Sequence, residues 1–134
     1  MDSRELIELA IEAMKKAYAP YSHFTVGAAL LTTDGKVYTG CNIENASYTP
    51  TVCAERVAFF SAMKEGFRSF EKIAVVGGKN GEITSFTYPC GVCRQVMLEF
   101  CREDFTLVFF DGSRVIEHTL GEIMPYSFTS RSLE

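Results

Sequence analysis

The chain has 134 residues, of which 47% are apolar, so we expect one domain over residues 1–134 with a buried core. Its 13 basic and 17 acidic side chains give a net charge of −4 without a basic block, which argues against a nucleic-acid polymer as partner and suits a small neutral ligand. No stretch reaches the roughly 20 apolar residues of a membrane span, and the amino terminus lacks a signal-peptide apolar run, so we expect a cytoplasmic protein with no membrane partner.

The pattern of apolar residues predicts three helices and five strands. In chain order they are a helix over 3–18, strands over 25–32 and 36–41, a helix over 52–65, a strand over 73–76, a helix over 91–101, and strands over 106–110 and 115–116. This order is typical of the α/β class. It predicts a three-layer α/β/α sandwich around a five-stranded mixed sheet.

Capping and turn residues set the predicted boundaries. Asp2 and Glu5 form a capping box at the start of the first helix, and Asp34-Gly35 is typical of a hairpin turn. Gly66 can supply a left-handed cap after the second helix, and Gly77-Gly78 is expected to end the short buried strand. Four apolar residues of the third helix are expected to pack inward: Val92, Val96, Leu98 and Phe100.

Three cysteines and one glutamate form a pattern that suits a single metal ion. Cys53-Ala54-Glu55 and Pro89-Cys90-Gly91-Val92-Cys93 together offer three thiolates and a free carboxylate. Three protein ligands on a tetrahedral zinc ion leave one position for water, and Glu55 could move protons for that water. The predicted helices place Cys53 in a first turn and the second motif at a helix start, where unpaired N–H groups lower thiol pKa values.

Three thiolates on Zn²⁺ leave a formal charge of −1, which makes the metal a weaker acid toward water. A positive side chain is therefore expected beside the ligands. Arg56 follows Glu55 directly and Arg94 follows Cys93 directly, so these two arginines are the candidates for charge compensation.

Other interpretations of the cysteines remain open. Cys90 and Cys93 have the spacing of a redox pair at a helix start, as in thioredoxin-like proteins. A closed structural zinc site is a second alternative, and the chain offers four candidates for its fourth ligand: Cys41, Cys101, His23 and His118. A non-catalytic, zinc-stabilised binding module would use such a site. An open coordination position beside Glu55 distinguishes the enzyme from that module.

The metal motif resembles the signature of the zinc deaminases. Further segments extend the similarity over nearly the whole chain and resemble the small homotetrameric cytidine deaminases. Those segments are Tyr18-Ala19-Pro20-Tyr21-Ser22, Phe24, Val26-Gly27-Ala28-Ala29-Leu30, Asn42-Ile43-Glu44-Asn45-Ala46, Tyr48, Cys53-Ala54-Glu55-Arg56, Pro89-Cys90-Gly91-Val92-Cys93-Arg94-Gln95 and Phe128.

The resemblance implies a role for each matching residue. Zinc would be bound by Cys53, Cys90 and Cys93, and Glu55 would carry a proton from the water to the pyrimidine N3 and then to the leaving ammonia. The remaining residues would bind the nucleoside. Asn42 and Glu44 would hydrogen-bond the ribose. The Ala54 N–H would hold the base carbonyl, and Phe24 would pack on the nucleoside. Tyr48 and Phe128 would come from neighbouring subunits of a homotetramer.

The resemblance therefore implies zinc-dependent hydrolytic deamination of cytidine and 2′-deoxycytidine in pyrimidine salvage. Deamination of a blasticidin-type antibiotic nucleoside is an alternative, because those enzymes share both metal motifs. Editing of polynucleotides is disfavoured, because no basic groove could hold a strand. The chain departs from the family at Tyr88, where many members have serine, and over residues 125–128, where only Phe128 matches.

Overall fold

A computed structural model describes residues 1–134. Its elements are α1 (Ser3–Met14), β1 (Phe24–Thr32), β2 (Val37–Cys41), α2 (Ala54–Lys64), β3 (Phe70–Lys79), α3 (Gly91–Phe100), β4 (Thr106–Phe110), β5 (Val115–Thr119), α4 (Leu120–Ile123) and a 3₁₀ turn (Ser130–Leu133). No helix combines the length and apolar character needed to cross a membrane.

The five strands form one mixed sheet in the order β2-β1-β3-β4-β5. Strands β3 and β4 are parallel, and every other neighbouring pair is antiparallel. The parallel pair requires a crossover connection, which contains α3. The predicted five-stranded mixed sheet is confirmed.

Alternating side chains of the sheet pack against helices on both faces. In β1, Ala28 and Leu30 belong to the core cluster that includes residues of α2 and α3. Ala29 and Leu31 point the other way, into a second core cluster built around α1. The sheet is therefore the middle layer of the predicted three-layer sandwich, with α2 and α3 on the same side.

The predicted end of the buried strand at Gly77-Gly78 is wrong, because β3 continues through both glycines to Lys79. Gly77 pairs with Val26, and Gly78 pairs with Thr25. A Cβ at Gly78 would lie 1.7 Å from the Glu82 carbonyl oxygen, so the following turn folds back onto the strand where only glycine fits. These glycines permit close packing and do not end the strand.

Helix α1 ends at Met14, four residues before the predicted limit. Lys16 and Ala17 donate to carbonyls three residues back, which tightens the last turn. The Tyr18 N–H then donates to the Asn42 carbonyl, 3.0 Å away, so the chain leaves the helix to pair with the segment after β2.

Three other predictions, two of element boundaries and one of helix packing, are wrong. Helix α2 begins at Ala54, so Cys53 is the residue before the helix and not part of its first turn. In α3, Val92 is 57% exposed, whereas Cys93 and Met97 are buried. The last strand continues to Thr119.

Candidate active site

The three predicted ligand cysteines converge at the beginnings of α2 and α3. Cys53 and Cys90 are the N-cap residues of these helices, and neither sulfur makes a capping hydrogen bond. The Sγ atoms of Cys53 and Cys90 are 3.6 Å apart, and those of Cys90 and Cys93 are 3.7 Å apart. All three sulfurs lie within 4.8 Å of one another. Two helix amino termini therefore direct three soft ligands to a common point.

The charge of the cluster is concentrated on Cys53. The Cys93 thiol donates toward the Cys53 sulfur and lowers the pKa of Cys53, with further lowering from hydrogen bonds of Arg56 and Cys90. Donating that same hydrogen bond raises the pKa of Cys93. The lowered pKa of Cys53 favours the thiolate form, which is the form that binds a metal ion.

Arg56 is the arginine that faces this thiolate. Its Nη2 donates to the Cys53 Sγ at 3.4 Å, and this interaction raises the pKa of the guanidinium. Arg94 is occupied elsewhere: its Nε donates to the Pro89 carbonyl at 2.8 Å and its Nη1 to the Ile123 carbonyl at 2.7 Å. Of the two predicted charge-compensating residues, only Arg56 hydrogen-bonds a ligand sulfur.

Glu55 lies in the first turn of α2 and is only 4% exposed. The pKa of its carboxyl is raised to about 7, mainly by burial and to a smaller extent by the Cys53 thiolate, while its own backbone N–H and Arg56 oppose the shift. A buried carboxyl that titrates near neutrality can both accept and release a proton at physiological pH. This property is what proton transfer during hydrolysis requires.

The donor set fits zinc. Three thiolates held at helix amino termini are ligands that zinc prefers, and they leave a tetrahedral ion one open position. The cluster contains only Cys53, Cys90 and Cys93, so none of the four candidates for a closed fourth position belongs to it. The Cys53 sulfur lies as close to the Cys90 sulfur as the Cys93 sulfur does. Three thiols at such distances favour a metal site over an isolated redox pair of Cys90 and Cys93.

Asn42 braces the start of β1 from the segment after β2. Its Oδ1 accepts from the Val26 N–H and its Nδ2 donates to the Phe24 carbonyl, both at 2.8 Å. One N–H and one oxygen lone pair of the amide remain free for another partner. The predicted ribose-binding amide is therefore held in a fixed orientation by the strand.

Glu44 is held by the turn before β1. Its Oε1 accepts from the N–H groups of Tyr21 and Ser22 at 3.0 and 3.1 Å, and its Oε2 pairs with the Ser22 hydroxyl. The hydroxyl of Ser22 lowers the pKa of Glu44 most. No local pattern predicts this role of Ser22, because the contact joins residues 22 positions apart.

The aromatic candidates occupy different places. Phe24 is 38% exposed at the start of β1 and its ring lies beside Gly77. Tyr48 is 71% exposed, with φ 63°, and its ring meets Tyr21 edge-on at 6.3 Å between centroids. A cavity of about 400 Å³ is lined by Tyr21, Ser22, Glu44, Tyr48 and Thr51.

Phe128 does not line that cavity. Its ring is 59% exposed and its carbonyl accepts from the Gln95 Nε2 at 2.8 Å. A concavity of about 1190 Å³ lies between the ends of α3 and α4 and the carboxyl-terminal tail, and it is lined by neither the three ligand cysteines nor the predicted nucleoside-binding residues. Ala54, by contrast, is fully buried as the first residue of α2, between Cys53 and Glu55.

Comparison with known families decides the classification. The family model for the cytidine and deoxycytidylate deaminase zinc-binding region matches residues 1–109. The chain belongs to this family. This zinc-binding deaminase family is the one that the cysteine and glutamate motifs predict, and its zinc-dependent hydrolytic chemistry requires the open metal position that the three thiolates leave.

Individual members of the deaminase family resemble the chain over nearly its full length. A cytidine deaminase of Sporosarcina psychrophila is 45% identical over 99% of this chain and 96% of its own, and one of Halalkalibacterium halodurans is 47% identical over 99% and 98%. The crystal structure of cytidine deaminase from Burkholderia pseudomallei superimposes with a TM-score of 0.88, at 47% identity, over 96% of this chain and 100% of that one. A blasticidin-S deaminase of Bacillus cereus is 30% identical over 93% and 91%.

Proposed function

We propose that this enzyme converts cytidine and 2′-deoxycytidine to uridine and 2′-deoxyuridine by addition of water and loss of ammonia. The observation that carries the proposal is the buried Glu55 beside three converging cysteine sulfurs. Cys53, Cys90 and Cys93 would hold one zinc ion per chain. When bound, that ion supplies a Lewis acid that makes water nucleophilic at neutral pH.

Glu55 would carry the protons of the reaction. Its carboxylate accepts a proton from the attacking water, delivers it to N3 of the base, and transfers the second proton to the departing amino group. The Ala54 N–H has no intrahelical partner, because Ala54 is the first residue of α2, so it can donate to the base carbonyl. The Tyr88 carbonyl accepts no hydrogen bond within the chain and is free to accept from the amino group.

Asn42 and Glu44 would bind the ribose, and Phe24 would form an apolar wall for the nucleoside. Support comes from the cavity that Glu44 shares with Tyr48, and from the hydrogen bonds that hold both polar side chains in place before a ligand arrives. Fixed side chains lose little conformational entropy on binding, which favours affinity for a small polar ligand.

Ultraviolet spectroscopy tests this proposal directly. Purified protein mixed with cytidine should shift the absorbance to that of uridine while one ammonia appears for each uridine. Parallel reactions with 2′-deoxycytidine should also proceed, and blasticidin S serves as the competing substrate, because a blasticidin-S deaminase is among the relatives. Turnover of blasticidin S without turnover of either nucleoside would refute the assignment.

We also propose a cytoplasmic homotetramer in which Tyr48 and Phe128 reach the nucleoside of a neighbouring subunit. Cytoplasmic thiols stay reduced, as the cysteine cluster requires. In the isolated chain Tyr48 and Phe128 are mostly exposed, and Tyr126 beside Phe128 is fully exposed. Exposed aromatic side chains are typical of a surface that a partner covers.

Removal of residues 126–134 tests the assembly. The truncated protein should dissociate in light scattering and show a higher KM for cytidine, because one contact would serve both interface and pocket. A fully active monomer of the intact chain would refute the shared site and leave the zinc chemistry in place.

A further inference from the structure

The segment that leads into Cys90 is held without hydrogen bonds. Residues 83–88 connect the turn after β3 to Pro89, and none of their backbone or side-chain groups hydrogen-bonds another part of the chain. The next hydrogen-bonded group is the Pro89 carbonyl, which accepts from Arg94. Side-chain packing must therefore fix the position of this segment.

Aromatic rings supply that packing. The Tyr88 ring meets the ring of Phe109 edge-on, with centroids 5.0 Å apart and planes at 69°. Phe109 is fully buried in β4, so this contact ties the segment to the sheet. Phe86 lies 6.3 Å from the Tyr88 ring and carries the Arg114 guanidinium on its face at 5.5 Å.

The distance along the chain from this anchor to the metal site is short. Tyr88 precedes the ligand Cys90 by two residues, which span at most about 7 Å. The ring of Pro89, which lies between them, fixes the φ angle of that residue. A displacement of Tyr88 therefore also displaces the Cys90 sulfur. The half-exposed ring of Tyr88 is thus placed to control a ligand that it does not touch.

We propose that Tyr88 is a positioning residue for the metal site: its ring, packed edge-on against Phe109, holds the Cys90 thiolate where zinc needs it. The inference rests on the proposed zinc-dependent function. This role also explains how the position accommodates a large aromatic residue. The ring packs toward the sheet, and the backbone carbonyl accepts no hydrogen bond within the chain. Residues that orient metal ligands typically change metal affinity by about 10- to 100-fold when they are replaced.

Three variants of the full-length zinc-loaded protein test the proposal. Tyr88→Ser removes the ring, and Tyr88→Phe keeps the ring but loses the hydroxyl. Tyr38→Ser is the matched control, because Tyr38 also packs against a phenylalanine ring, that of Phe67 with centroids 5.6 Å apart, beside the same core but on β2. Zinc dissociation constants come from competition with a chromogenic chelator, and the spectra of Co²⁺-substituted proteins report the geometry of the thiolate site.

Tyr88→Ser should raise the zinc dissociation constant about tenfold and alter the Co²⁺ bands, while Tyr88→Phe should stay within about twofold of the parent. Tyr38→Ser should lower Tm without changing either readout.

Zinc affinity equal in Tyr88→Ser and Tyr38→Ser would overturn the proposal, as would equal losses of zinc affinity in Tyr88→Ser and Tyr88→Phe. If Tyr88→Ser does not fold, Tyr88→Leu replaces it with the same two criteria. A protein that binds zinc but deaminates nothing would fail the proposed function while leaving this comparison intact.

Discussion

Two loops bring cysteines to the same point, and they are stabilised in opposite ways. The loop from β2 to α2 is closed by reciprocal hydrogen bonds between Ile43 and Val52, both at 3.0 Å, and the Glu44 N–H donates to the Tyr18 carbonyl at 2.8 Å. The segment that ends at Cys90 makes no hydrogen bond over residues 83–88 and depends on edge-on packing of aromatic rings. One metal site is thus built from a hydrogen-bonded half and an aromatic half.

The difference follows from what each loop carries. The first loop presents Asn42 and Glu44, and the proposed binding of ribose would require their polar groups to be held at fixed positions, which directional hydrogen bonds can do. The second loop provides a free carbonyl and leads to Cys90 and to the helix that carries Cys93, and apolar packing can place a backbone without occupying its polar groups. Comparing substitutions in the two halves therefore tests how the site is held.

The largest effect should come from removing a ligand on either side. Cys53→Ala and Cys90→Ala should each lose stoichiometric zinc and unfold at lower denaturant concentration, because metal binding and folding share these thiolates. Metal analysis and urea unfolding provide the measurements. Cys101→Ala is the control, since Cys101 lies outside the cluster and should leave the zinc content unchanged. Full zinc retention in Cys53→Ala or Cys90→Ala would exclude the shared site.

Glu55→Gln should lower kcat by about 10²- to 10⁴-fold while keeping one zinc per chain, because the amide is nearly isosteric but cannot accept a proton. This variant separates chemistry from metal binding within the first half of the site. Steady-state rates and metal content are measured on the same preparation. A rate close to that of the parent would remove Glu55 from the mechanism.

Substitutions of Arg56 and Arg94 allow a direct comparison of the two halves of the site. Arg56→Ala should lower kcat about 10- to 100-fold, as loss of a group that tunes a metal ligand does. The acidic limb of the pH profile should also move to higher pH, because an uncompensated thiolate charge makes the activated water harder to deprotonate.

Arg94→Ala is the matched variant for the other half. It should leave the acidic limb in place and lower Tm, because the carbonyls of Pro89 and Ile123 lose their donor. An identical shift of the pH profile in both arginine variants would contradict the assignment of charge compensation to Arg56 alone.

The smallest effect concerns the hydrogen-bonded loop. Asn42→Ala should lower the free energy of unfolding by about 1–3 kcal/mol, because the Val26 N–H and the Phe24 carbonyl lose their partner. Asn45→Ala, whose side chain bonds only the neighbouring Ser47, should cost about 0.5 kcal/mol or less. Urea unfolding of the zinc-loaded proteins measures both. Equal costs would mean that Asn42 does not brace β1.

The sequence predicted the elements that depend on local signals. Asp2 caps the first helix by accepting from the Glu5 N–H, and Gly35 and Gly66 both adopt positive φ, as a turn and a left-handed cap require. Gly77-Gly78 was misinterpreted because a glycine that ends a strand and a glycine that admits a close backbone look alike in sequence.

The parts of the site that could not be predicted depend on contacts distant in sequence. The cysteine spacing predicted the cluster, but not that Arg94 would turn to the Ile123 carbonyl, 29 residues away. The Ser22 contact with Glu44 and the edge-on contact of Tyr88 with Phe109 also join segments that only the folded sheet brings together. Such contacts are set by tertiary packing, which periodicity and capping patterns do not encode.

The most direct measurement is a zinc titration of metal-free protein with cytidine deamination as the readout. Chelation should abolish turnover, and returning zinc should restore it in proportion to added metal until one equivalent per chain is bound by Cys53, Cys90 and Cys93. Turnover that survives complete removal of zinc, or recovery that levels off far from one equivalent, would contradict a single catalytic zinc at the three thiolates.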